Sequence, residues 1–401
     1  MTVQGSCEPR FATVAEEFER NLTERGEVGA SVCVVVDGET VVDLWGGDAA
    51  PGLPWLHDTI GHVWSCTKGA TALCAHMLAS RGELDLDAPV VRHWPEYGSR
   101  GKDGTLVRHL LTHQAGLPAL REPLPSGAFY DWKLMADRLA GEEPFWEPGT
   151  RHGYHALTFG FLVGEVVRRV SGRSLGSFFR EEVAEPLGLD FWLGLPEEQE
   201  GRVAPTIPAE TPARLPSFYA AAFADPASIP ALLLGNDGGY MTTPGESDTR
   251  TAHAAEFGAV GAVTNARGLA GMYRPLSLGG GGLVAEEQLA IMSPAQSASS
   301  VDAVLLVPTR FSLGFMKAVD NRHLPAADSE GALLTETAFG HAGMGGSVGF
   351  CDPPARLAFG YTMNRQGTGL GINPRGQALV DAVYRSLGHR RARGGLWYRP
   401  T

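Results

Sequence analysis

Strand-forming residues gather at the two ends of this 401-residue chain and nearly vanish between them, which limits the folds open to it. Residues 30–36 and 40–45 are β-branched runs joined through Asp37-Gly38, the strongest short-range hairpin signal. Strand character returns only at 310–319, 336–340, 347–351 and 357–363. Helices flank both sets. Apolar residues recur at helical spacing at Phe11, Val14, Phe18 and Leu22, and again at Ala378, Leu379, Ala382 and Val383 within 374–387. From about 83 to 300 short helical patterns (108–112, 132–139, 157–170 and 175–184) alternate with Pro/Gly-rich loops, and the prolines between Glu197 and Pro230 forbid long regular elements. Because the strands follow one another locally rather than through βαβ units, their sheet is expected to be antiparallel. The pattern predicts an α/β (α+β) chain in which 1–82 and 306–401 form one split domain and 83–305 a mostly helical insertion.

Composition narrows the function. With 43% hydrophobic and 19% charged residues the chain can bury a sizeable core, and its net charge of −12 argues against a nucleic-acid surface. The five cysteines, Cys7, Cys33, Cys66, Cys74 and Cys351, show no paired spacing and read as free thiols of a reducing compartment. Residues 1–20 lack the apolar core of a secretory signal, and no long apolar run follows. The expectation is a soluble, cytoplasmic protein without a membrane partner.

One stretch carries chemistry. In His62-Val63-Trp64-Ser65-Cys66-Thr67-Lys68, Ser65 and Lys68 stand three residues apart at the head of an apolar helical run, and so share a helix face. A serine hydroxyl is a poor nucleophile unless a neighbour takes its proton, and a lysine does so once burial lowers its pKa. A helix N-terminus also favours negative charge developing beside Ser65. A second Ser-x-x-Lys, Ser99 to Lys102, lies in a Gly- and charge-rich loop that would not hold two groups in register.

Three further stretches fit the first: Leu110-Leu111-Thr112-His113-Gln114-Ala115-Gly116-Leu117; Glu147-Pro148-Gly149 through Tyr154-His155-Ala156; and Phe339-Gly340-His341-Ala342-Gly343-Met344-Gly345-Gly346-Ser347. In this order and spacing they resemble the serine β-lactamase and penicillin-binding-protein superfamily, most of all the class C β-lactamase-like family VIII carboxylesterases. The resemblance runs from about Val28 to Leu387 and implies a β-lactamase/transpeptidase-like fold. It implies that Ser65 accepts the acyl group, that Lys68 is its base partner, and that Tyr154 relays a proton to the leaving group as phenol or phenolate. It also implies an oxyanion hole from the backbone N–H groups of Ser65 and Met344, with His341 and Gly343 on the substrate. A lysine ammonium near Tyr154 would stabilise phenolate, so the location of the proton in this pair stays open.

The departures bear on substrate. Tyr154-His155-Ala156 stands where the lactamases have Tyr-x-Asn, and His341-Ala342-Gly343 where they have Lys-Thr-Gly. Losing the amide and the fixed cation argues against efficient β-lactam hydrolysis and favours a neutral ester. Other motifs are weaker. Gly345-Gly346-Ser347-Val348-Gly349 matches a nucleophile elbow, but Pro353-Pro354 blocks the helix that an elbow requires. His109 and His113 have metal-ligand spacing without the base or third ligand of a zinc site, and His152 and His155 are no better. Cys66 reads as a small buried residue whose thiol would expose the enzyme to thiol reagents. Phe129, Trp132 and Phe145 are candidates for an acyl pocket, with core packing as their default. The reading is a serine carboxylesterase for short- to medium-chain esters, needing neither metal nor organic cofactor, its partner a small-molecule ester or acyl donor. An acyltransferase of the same fold is the alternative, and a non-catalytic scaffold the third.

Overall fold

A computed structural model describes residues 3–400. Its centre is an antiparallel sheet whose strands, in chain order, are β1 (Val3–Cys7), β2 (Gly29–Val36), β3 (Glu39–Ala50), β4 (Ser297–Ser299), β5 (Thr309–Phe311), β6 (Met316–Lys317), β7 (Phe339–Ala342), β8 (Val348–Asp352) and β9 (Leu357–Met363). Across the sheet the order is β1-β3-β2-β9-β8-β7-β6-β5-β4, with the short strand Leu53–Pro54 added beside β3. The β2–β3 turn is Asp37-Gly38, with φ of 54° and 87°, the two left-handed positions that a type I′ hairpin needs. The run expected at 310–319 is instead the tight hairpin β5–β6, since Gly314 at φ 91° lets the chain reverse between them. The expected strand at 336–340 starts later, at Phe339.

β2 explains why its sequence lacks polar alternation. Ala30, Val32 and Val34 face one core while Cys33 and Val35 face the other, so both faces are buried. On the first face lie α1 (Ala12–Thr23) and the C-terminal helix Pro374–Ser386, packed on each other. On the second lies Ala266–Ser277, against β2, β8 and β9. Behind it runs α2 (Thr67–Ser80), buried on nearly every side, with α5 (Thr158–Ser171) packed on it and α3 (Val107–Leu111) and α4 (Trp132–Gly141) packed on α5. Two elements of the segment 83–305 therefore belong with the sheet: the strand β4 and the helix Ala266–Ser277, whose Pro275 and glycines hide it from periodicity.

Among the described residues no single helix is long and apolar enough to cross a membrane. The proline-rich stretch holds two short apolar helices, Ser217–Ala224 and Ile229–Gly235, set at 89° to each other.

Candidate active site

The short strand Ile60–His62 delivers the chain to a single 3-10 turn, Trp64–Cys66, which runs straight into α2. Trp64 takes a left-handed φ of 49°, a conformation that costs a bulky residue about 1–3 kcal/mol and survives only where packing enforces it. Its ring stacks on His62 at 4.3 Å between centroids. Ser65 follows at this bend, half-buried, with α2 behind it.

Three successive groups on one side of α2 fasten it to the segment 258–262. Thr67 Oγ1 accepts the Ala262 N–H at 2.9 Å, Thr71 Oγ1 donates to the Gly258 carbonyl at 2.6 Å, and Lys68 Nζ donates to the Ala259 carbonyl at 2.9 Å. Lys68 Nζ also donates to the Ala156 carbonyl at 2.7 Å and stands 3.1 Å from Ser65 Oγ. Burial drives the Lys68 pKa well below its ordinary value. In the neutral amine that burial favours, the two hydrogens go to the two carbonyls and the lone pair is left for the Ser65 hydroxyl.

Tyr154 sits beside this pair, with Lys68 Nζ 4.9 Å from its ring centroid. Burial raises its pKa, and the hydrogen bond with Ser65 offsets only part of that. The tyrosine is therefore a phenol, and the phenolate expected as one option is disfavoured. Phe311 lies parallel to its ring at 5.6 Å and His113 packs at 4.9 Å. Its backbone N–H is held by Asp302, at 3.0 and 3.1 Å from the two carboxylate oxygens. Asp302 is fully buried and also accepts from the Val304 and Leu305 N–H groups, the Thr309 hydroxyl and His152. Burial alone would raise its pKa, but these donors, led by His152, lower it, so the carboxylate stays charged beneath Tyr154.

Met344 lines the same cleft as Ser65, and among the described residues its N–H has no protein acceptor. Gly343 brings it there. A Cβ on Gly343 would lie 2.3 Å from the Val63 carbonyl oxygen, so only glycine lets the end of β7 approach the Ser65 turn. His341 donates from Nδ1 to the Ala342 carbonyl at 2.7 Å, which leaves Nε2 with a bare lone pair. Burial lowers its pKa to about 3. Its free nitrogen is therefore an acceptor.

The remaining sequence candidates lie elsewhere or do other work. Lys102 Nζ ties the Ser99, Ala140 and Glu142 carbonyls together, while the Ser99 hydroxyl bonds to Ala140 rather than to the lysine. Ser347 is buried and enters β8, not a helix. His109 Nδ1 accepts the Leu106 N–H at the start of α3, His113 Nδ1 accepts the His155 N–H, and His155 Nε2 accepts that of Leu117. Cys66 is fully buried, with its thiol on the His341 carbonyl at 3.3 Å, so reagents do not reach it. Phe129 packs on Phe257, Trp132 donates to Glu165 and Phe145 lies beneath Arg121, so none of the three lines the Ser65 cleft. That cleft is walled by Leu157, Phe218, Tyr219, Leu233, Leu234 and Met241. Four of the six come from the two short helices that proline density concealed. Asp302 and the Ala259 carbonyl were also missed, the one lacking a motif and the other any side-chain signal.

An antiparallel sheet flanked by helices, with a Ser-x-x-Lys pair heading a buried helix, defines a β-lactamase/transpeptidase-like fold. The sequence profile described as Beta-lactamase matches residues 14–382, and the chain belongs to that family. It is 35% identical over 381 residues to the esterase/beta-lactamase LipL of Mycobacterium tuberculosis, spanning 90% of this chain and 83% of that one. Among solved structures, a family VIII carboxylesterase superposes with a TM-score of 0.83 at 36% identity, covering 96% of this chain and all (100%) of the other. EstA from Arthrobacter nitroguajacolicus Rue61a also gives 0.83, at 32% identity over 97% of this chain and 99% of that one.

Proposed function

We propose that the protein is a serine carboxylesterase that works through an acyl-enzyme on Ser65. The observation that carries this reading is the Lys68 amine, buried with no carboxylate partner among the described residues and 3.1 Å from Ser65 Oγ. The relatives named esterase and carboxylesterase support it at the level of reaction class. In the first half-reaction Ser65 Oγ bonds to the ester carbonyl carbon while its proton passes to the Lys68 lone pair. The carbonyl oxygen takes the electron pair and is held by the N–H groups of Ser65 and Met344. As the oxyanion collapses, the bond to the alcohol oxygen breaks, Tyr154 supplies that oxygen with a proton, and the proton held by Lys68 restores the phenol. Water then repeats the sequence on the acyl-serine, giving the acid and free Ser65. The apolar cleft suits a short- to medium-length acyl chain.

Intact-protein mass spectrometry after brief exposure to p-nitrophenyl butyrate tests this. A butyryl adduct on wild type that is absent from Ser65→Ala, with steady nitrophenol release in water, is the expected result. An adduct that persists until an alcohol or amine is added would turn the reading to acyl transfer. No adduct with any of several esters would remove it.

A further inference from the structure

A second pocket abuts the Ser65 cleft, sharing Tyr154, Phe218, Leu305 and Leu370 with it. It opens on the side of Tyr154, where the alcohol portion of an ester would depart. Its walls are mainly apolar, but the polar atoms left without partners are all of one kind. Asn321 is 2% exposed, and its amide nitrogen donates to the Pro308 and Glu330 carbonyls, which fixes the amide and leaves Oδ1 unpartnered. His341 is 3% exposed, with its bare Nε2 lone pair likewise unpartnered. Glu330 stands next to Asn321 and accepts only the Gly371 N–H, at 3.2 Å. Among the described residues it makes no ion pair, whereas Arg310 on the same wall is paired with Glu336, and Asp328 is occupied by both donors of Ser217.

Among the described residues, two buried acceptors without donors and a carboxyl group that makes no ion pair, with Arg375 acting on it only from a distance, leave this pocket short of positive hydrogen-bond donors. Phe218 and Phe311 also belong to its lining. We propose that this pocket is a subsite for a protonated amine carried on the alcohol portion of the substrate, bound by Glu330, Asn321 Oδ1 and His341 Nε2. Burial raises the Glu330 pKa to about 7, so a bound ammonium would also hold it ionised. The assignment to the alcohol portion rests on the esterase reading, whereas the cation site itself does not.

Calorimetry at mildly alkaline pH separates the two. para-(Aminomethyl)benzyl alcohol should bind wild type about tenfold or more tightly than para-methylbenzyl alcohol, and Glu330→Gln should bring the ratio close to unity. Equal affinities in wild type, or a preference that survives in Glu330→Gln, would overturn the proposal; the wild-type comparison decides it even if the variant folds poorly. The butyrate esters of the same alcohols should show the same preference in kcat/KM. Ser65-dependent cleavage of both esters at equal efficiency would remove the subsite and keep the esterase. A cation preference in binding with neither ester cleaved would keep the site and remove the esterase.

Discussion

Lys68 is held by the Ala156 and Ala259 carbonyls and by Ser65, with burial favouring the neutral amine. A base must be unprotonated to act, so kcat/KM should rise with pH through the depressed Lys68 pKa and then hold. The raised Tyr154 pKa keeps the phenol protonated across the neutral and mildly alkaline range, so no falling limb should begin there. Lys68→Arg, permanently charged, should lose about 10²–10⁴-fold in kcat/KM. A profile that falls from neutrality upward, or an active Lys68→Arg, would contradict the neutral-amine assignment. Ser65, Lys68 and Tyr154 could be read in advance because each lies in a short contiguous motif. Asp302 could not, because it meets Tyr154 across 148 residues and through the backbone. The tautomer of His341 was equally hidden, since the Ala342 carbonyl that fixes it is a matter of strand geometry.

At the scale of elements, α2 and α5 read well because their apolar positions are dense and their ends are marked. The sequence did not reveal why α5 carries a glycine at 160. A Cβ there would lie 2.3 Å from the Ala259 nitrogen, so Gly160 is the gap through which the segment 258–262 reaches α2. Helix propensity alone favours alanine by about 1 kcal/mol. The clash should reverse that, so Gly160→Ala is expected to destabilise by about 1–3 kcal/mol. Displacing the Ala259 carbonyl from Lys68 should also reduce kcat by about tenfold or more. Urea unfolding and steady-state kinetics on one preparation check both, and a variant more stable and fully active would show that the segment yields freely. Ser217–Ala224 and Ala266–Ser277 escaped the sequence for a different reason: prolines and glycines mask short helices that tertiary packing stabilises.

Over the whole molecule, the antiparallel sheet and its flanking helices were legible because strand signals sat at both ends of the chain. Which strands meet was not, as pairing across hundreds of residues leaves no local trace. β2 and β9 pair through seven residues, from Ala30 with Met363 to Val36 with Leu357. A fragment of residues 1–290 would keep Ser65, Lys68 and Tyr154, yet leave β2 with an open edge and its first face without the C-terminal helix. It should fail to give a cooperative unfolding transition or a near-ultraviolet circular dichroism signal; a folded, active fragment would show that the late strands are dispensable. The two carbonyls that grip Lys68 carry a last consequence. Apart from that to the serine, Lys68 gives its hydrogen bonds to the main chain, so no single exchange of a neighbouring side chain removes one of them. Cleft walls such as Leu233 and Met241 are free to change over generations, while the carbonyls that hold the lysine are inherited with the backbone itself.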